Sequence, residues 1–140
     1  MHGQTDATIE RLGRQVLEYA EGRLKLDPVP LDYTLTPEEL LDRAGQTVTP
    51  DGLGGERAMD IFAEVLAPAC LSVDHPRYLS FIPCAPSDAA AMFDLVVGAS
   101  SVYAGSWLEG SGAVFAENQA LRWIADLAGL PPQAGGAFVP

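Results

Sequence analysis

His75-Pro76-Arg77-Tyr78-Leu79-Ser80-Phe81-Ile82-Pro83-Cys84-Ala85-Pro86 is a stretch that can settle into neither helix nor sheet. Each of its three prolines lacks a backbone N–H and disfavours helix in the residue before it. From Ser72 to Pro86 the chain is therefore predicted to be mostly extended. It carries aromatic and aliphatic side chains on stiff, irregular backbone, an arrangement suited to the wall of a small-molecule pocket. Phe81, Ile82, Pro83 and Cys84 become the leading candidates for substrate contact. The competing reading is a core-crossing loop that touches no ligand. His75, placed before Pro76, is expected to be extended and structural, bonded to nearby backbone.

Downstream, Ser87 is placed to cap a helix running to about Tyr103. Its window Ala89 to Ala99 is apolar on nearly every face, so the helix should be enclosed by other elements. That window spans only 11 residues and includes Asp94, too short and too charged to cross a bilayer. Asp94 is either a buried polar group or an interface contact. A glycine and serine loop, Gly105 to Gly112, is expected next. A fifth helix follows from about Ala113 to Ala128, closed by Gly129 and Pro131. Its apolar stripe is Val114, Leu121, Ile124 and Ala128, and Glu117 falls within it. A carboxylate there needs a specific partner, such as Arg77 or a backbone amide, or a place at an interface edge. Ala137 to Val139 could begin a strand.

Upstream, Thr5 or Asp6 can cap a first helix to about Leu26, with Ile9, Leu12, Val16, Tyr19 and Leu24 near helical spacing. Asp27-Pro28-Val29-Pro30 stops it, and an extended linker reaches Leu35. Thr36-Pro37-Glu38-Glu39 is a strong start signal, and the short helix it opens ends near Gly45. Gln46 to Gly55 is a polar loop. A third helix, Glu56 to Ala69, carries Met59, Phe62, Ala63 and Leu66 as its stripe. Residues 1–70 thus read as a helical arm and linker, and residues 71–140 as a pocket-wall segment with two further helices. Two amphipathic helices in the arm give an all-apolar helix little cover, so another polypeptide is expected to supply it.

The chain has 140 residues, 48% of them apolar, and a net charge of −11. This composition suits a globular protein and disfavours nucleic acid or an anionic membrane as partner. No signal segment opens the chain, and a cytoplasmic location is expected. Cys70 and Cys84 are too few for a disulfide framework and lack metal-ligand spacing. They read as reduced, largely buried thiols. No dinucleotide or phosphate-loop motif is present, and no serine has nucleophile-elbow spacing. The sole lysine, Lys25, sits among polar residues, whereas a Schiff-base lysine needs a dry, shaped pocket.

The series His75 to Pro86, the apolar helix, Tyr103-Ala104-Gly105-Ser106-Trp107, the helix ending Trp123-Ile124-Ala125-Asp126-Leu127-Ala128-Gly129-Leu130-Pro131, and Gly135-Gly136-Ala137-Phe138-Val139 resembles the N-terminal part of the group II pyridoxal-phosphate-dependent amino-acid decarboxylases. The resemblance implies a mainly α chain forming the N-terminal helical part of an α/β, aspartate-aminotransferase-like (fold type I) enzyme. It implies pyridoxal 5'-phosphate as cofactor, bound mainly by residues outside this chain, with none of its catalytic residues here. Phe81, Ile82, Pro83 and Cys84 would line the substrate pocket. Cys84 stands where the family carries a hydroxyl residue. Tyr103 to Trp107 would reach into the active site of a second subunit, Tyr103 and Trp107 touching substrate; the alternative is that the two rings simply pack at a helix end and bond through their polar tips. Gly105 replaces a bulky residue of the family, leaving a wider pocket or one filled by Tyr103. A glutamate at the position of Glu117 is also a family feature. The implied partners are the remainder of the enzyme, a homodimeric second copy and a small amino-acid substrate.

Two other readings stay open. One is a non-catalytic helical module that dimerises or binds a partner. The other keeps the cofactor and scaffold but performs oxidative deamination or lyase chemistry.

Overall fold

The computed structural model describes residues 7–80 and 85–139, which divide between two compact units, Met1–Ala85 and Pro86–Pro140. All regular structure among the described residues is helical, in keeping with the predominantly α reading, and Ala137 to Val139 forms no strand.

In the first unit, α1 (Ala7–Leu24) and α3 (Gly55–Ile61) pack in parallel. Arg11 pairs with Glu56 and Gln15 donates to Asp60, so both helices advance four residues between successive ties. Beside this polar edge runs an apolar seam. Leu12 lies where a β-carbon on Gly55 would stand, so glycine lets the start of α3 approach α1 closely. Tyr19 meets Phe62 edge-on at 5.7 Å, the geometry in which a ring's positive edge faces its neighbour's negative face.

α2 (Pro37–Ala44) begins as its residues dictate. The Thr36 hydroxyl accepts from the Glu39 N–H, and the Glu39 carboxylate accepts in return from the Thr36 N–H. That second bond holds the Glu39 carboxyl below the usual range. Gly45 at φ +71° closes the helix.

The predicted third helix is continuous in course but changes winding. After α3, Phe62–Leu66 forms a π turn and Ala67–Ala69 a 3-10 turn. Pro68 has no N–H to offer the carbonyl four residues back, and the Ala67 N–H reaches five residues back to Phe62 instead. Cys70 corrects the expectation of a buried thiol. The helix has already turned extended there, leaving it exposed with its thiol directed at the Leu66 carbonyl.

The stretch after it also departs from prediction. Ser72 to Tyr78 makes two successive tight turns, the His75 N–H bonding Ser72 and the Tyr78 N–H bonding His75. The proline at 76 fits the second turn, since a turn's second position favours its fixed φ and needs no donor.

In the second unit, α4 (Asp88–Ser100) starts where Ser87 accepts from the Ala90 N–H. It ends at Ser100, three residues before the predicted Tyr103, and Ser101 after it takes a left-handed conformation. α5 spans Trp107–Leu127, six residues longer at its start than predicted. Its end is as expected: Gly129 sits at φ +68°, its N–H bonds Asp126, and the Leu130 N–H bonds Ala125, a paired closure that satisfies orphan carbonyls. Residues 130–139 then fold back along α5. Arg122 donates to the carbonyls of Pro131, Pro132 and Ala134 while pairing with Asp126. The Phe138 N–H lies 3.5 Å from Glu117, a long contact that supplies the backbone partner foreseen for that carboxylate. On α5 Val114, Glu117 and Leu121 are half-buried and Ala125 is buried, whereas Ile124 and Ala128 of the predicted stripe are exposed.

Little of the chain is buried. Val29, Ile61 and Ala125 are the buried apolar residues among those described, and Ser72 the buried polar one. The surface amounts to 11114 Å². Two separately compact domains of these lengths would expose about 8,400 Å² together. Within this chain α4 is left uncovered: Phe93 is 67% exposed and Val97 56%. Asp94 is exposed too. Among the described residues no helix is long and apolar enough to cross a membrane.

Candidate functional site

Of the predicted substrate-contact residues, Phe81, Ile82, Pro83 and Cys84 lie outside the described residues. Tyr103 and Trp107 are described, on either side of Gly105 in the connection from α4 to α5.

Local bonding explains how that connection is built. Ser106 precedes α5 in extended conformation, and its hydroxyl contacts the Glu109 carboxylate three residues on. Helix begins at Trp107 rather than at Ala113, with no side-chain cap on its first N–H groups. Gly110 breaks the helical dihedrals at φ −134°, ψ 34°, yet the Gly110 N–H still bonds the Ser106 carbonyl. The glycine is buried because the Tyr103 carbonyl presses on it, where any β-carbon would collide with backbone.

Tyr103 folds over the loop so that its hydroxyl fills the position a side chain at Gly105 would occupy. Both rings stay largely open, Tyr103 at 63% and Trp107 at 61% exposure, so two aromatic side chains project from one glycine-rich turn. Sequence reasoning took Ser106 and Glu109 for loop residues. The signal that could have placed them was Ser-x-x-Glu ahead of an apolar run.

The chain leading to Phe81 is tied down on the side of the first unit. Asp74 pairs with Arg23 of α1 at 2.7 Å. The hydrogen bond from Arg23 holds the Asp74 carboxyl below its usual range, and the same bond raises Arg23. Ser72 donates its hydroxyl to Asp32 and its N–H to the Leu31 carbonyl. Asp32 itself stands at φ +60°, a conformation that Asp tolerates better than most side chains. His75 accepts the Arg77 N–H at Nδ1, which matches its reading as a structural histidine bonded to backbone.

The described residues do not fit an attachment site for pyridoxal phosphate. Lys25, just past α1, is 74% exposed and paired with Glu21, the opposite of a dry pocket. Among the described residues no cluster of acidic, histidine and cysteine side chains could hold a metal ion.

Comparison with known proteins points to a distant relationship with the group II amino-acid decarboxylases. The chain is 22% identical over 132 residues to the aromatic-L-amino-acid decarboxylase of Bacillus atrophaeus. That alignment covers 94% of this chain and 28% of the decarboxylase, so the chain spans a little over a quarter of its relative's length. No family model matches the chain, and no solved structure does.

Proposed function

We propose that this chain is the N-terminal part of a pyridoxal-phosphate-dependent amino-acid decarboxylase, supplying substrate-pocket wall and dimer interface while the Schiff-base lysine lies elsewhere in the complete enzyme. The observation that carries this reading is the end-to-end similarity to one part of a much longer decarboxylase. Two physical features support it. The only lysine is unsuited to hold the cofactor. The apolar faces of α4 and α5 lie open, as expected of surfaces made to be covered. An extended obligate interface of roughly 2,000 Å² or more would cover them.

In this reading Phe81, Ile82, Pro83 and Cys84 form an apolar wall against the substrate side chain. Tyr103 and Trp107 reach the active site of a second copy. The cofactor, when bound, supplies the electron sink that lets an amino acid lose carbon dioxide. This chain's residues orient the substrate and exclude water. The cytoplasm is the expected setting.

The test is to purify the full-length protein, supply pyridoxal phosphate and measure carbon dioxide and amine released from aromatic and acidic amino acids. Expected are a cofactor absorbance band abolished by borohydride and stoichiometric release of both products. Aldehyde and ammonia in place of amine would shift the reading to oxidative deamination. A stable dimer that takes up no cofactor would overturn it in favour of a helical dimerisation module.

A further inference from the structure

We propose that the turn His75–Tyr78 is a pH-sensitive joint, because the acceptor for its inner N–H is an imidazole nitrogen that a proton can occupy. The joint lies wholly within the first unit and is independent of the decarboxylase reading.

His75-Pro76-Arg77-Tyr78 closes through the Tyr78 N–H, which bonds the His75 carbonyl at 2.8 Å. The N–H of a turn's third residue has no backbone partner, and an Asp, Asn or Ser side chain at the first position commonly accepts it. His75 takes that part here: the Arg77 N–H donates to its Nδ1 at 3.0 Å. An imidazole nitrogen accepts only through a free lone pair, so the ring's proton resides on Nε2 while this bond stands. A second proton, on Nδ1, turns the acceptor into a donor and sets it against the Arg77 N–H. Histidine is the side chain whose charge ordinarily changes between about pH 5 and pH 8, which places the swap in that window.

The charged groups around the ring keep their own state there. The Asp74 carboxylate, next in the chain, is held below its usual range by Arg23 of α1 and feels the imidazolium charge. It stays ionised and offers the protonated ring another partner. Arg23 and Arg77 stay cationic. Asp32 of the linker is engaged by the Ser72 hydroxyl, and Tyr78 is the other ionisable side chain of the turn.

The two successive turns therefore answer acid differently. The first is closed by the His75 N–H on the Ser72 carbonyl, with no titratable acceptor. Ser72, buried and bonded to Leu31 and Asp32, holds it from one side, and the Arg23–Asp74 pair from the other. Acid loosens the second turn and leaves the first closed.

The experiment follows amide exchange in the full-length protein at about pH 8 and about pH 5.5, each rate divided by its intrinsic value at that pH. The Arg77 amide should lose about two- to tenfold of its protection at the lower pH, the range that one net hydrogen bond sustains. Tyr78 should follow in the same direction. The His75 amide, and the Leu40 amide bonded to Thr36 in α2, should keep theirs. His75→Asn offers a side-chain oxygen that does not titrate, so Arg77 should stay protected at both pH values. His75→Ala should leave it fast at both. Protection of Arg77 that is indifferent to pH in the unmodified protein overturns the proposal. So does an acid loss that persists in His75→Asn, or an equal loss at Leu40, which would mean that the whole unit loosens. Should His75→Ala also disturb Leu40, the comparison with His75→Asn decides alone.

Discussion

The hydroxyl of Tyr103 occupies the space that a β-carbon on Gly105 would need, and the Tyr103 carbonyl does the same to Gly110. The two glycines are required for different reasons. At 105 the obstacle is the far end of a side chain that can swing away; at 110 it is backbone. Gly110→Ala should therefore destabilise the protein by about 1–3 kcal/mol, the cost of overpacking a fixed site. Gly105→Ala should cost less than about 1 kcal/mol but push the Tyr103 ring aside. Denaturant unfolding of both variants, with substrate selectivity measured on Gly105→Ala, checks this ordering. Equal stabilities would mean that the loop rearranges freely.

The Thr36 and Glu39 side chains satisfy two backbone donors reciprocally at the start of α2. Removing the hydroxyl strands the Glu39 N–H and weakens the return bond. Thr36→Ala should lower stability by about 1 kcal/mol, and Thr36→Ser should retain most of it. The shift in denaturant midpoint reads the difference.

That cap was legible in the sequence because every part of it is local: threonine, proline and glutamate within four positions encode their own geometry. The closure of α5 by Gly129 was legible for the same reason. The start of α5 was not, because Gly105, Gly110 and Gly112 outweighed the Ser106 and Glu109 signal. The packing of Tyr103 against Gly105 and Gly110 shows what those two glycines are for. The double turn at Ser72 to Tyr78 escaped prediction because it is held by Arg23, Leu31 and Asp32, contacts 40 or more positions away. The π turn followed from Pro68, but proline predicts disruption without saying which rearrangement relieves it. Of the candidate site, the aromatic pair Tyr103 and Trp107 could be picked from sequence. The Arg23–Asp74 pair, joined across 51 positions, could not.

Asp74 gives acid stability a definite sign. Its carboxyl is lowered by the bond from Arg23, so the folded protein resists a proton that the unfolded chain accepts near pH 4. The pair's contribution is complete above about pH 4 and drains away as pH falls through the lowered folded value. Glu39, lowered by the Thr36 N–H, acts in the same direction. Between about pH 5 and pH 3, Asp74→Asn should therefore lose less stability than the unmodified protein. Parallel loss in both, followed by urea midpoints across that range, would show that the ion pair adds nothing.

α4 poses the last test. Phe93, Leu95, Val96 and Val97 are each at least half exposed, a contiguous apolar surface of the kind that marks an interface or an aggregation hazard. Burying one such side chain contributes about 1.5–3 kcal/mol, so several together decide whether the assembly holds. The isolated 140-residue chain should self-associate, and Phe93→Ser with Val97→Lys should keep it dispersed. In the longer enzyme of the proposed reading the same pair of changes should weaken the proposed dimer, since a lysine is costly to bury unpaired. Sedimentation of both proteins with and without the substitutions separates the possibilities. A monodisperse, monomeric isolated chain would remove the main physical reason for assigning α4 a covering partner.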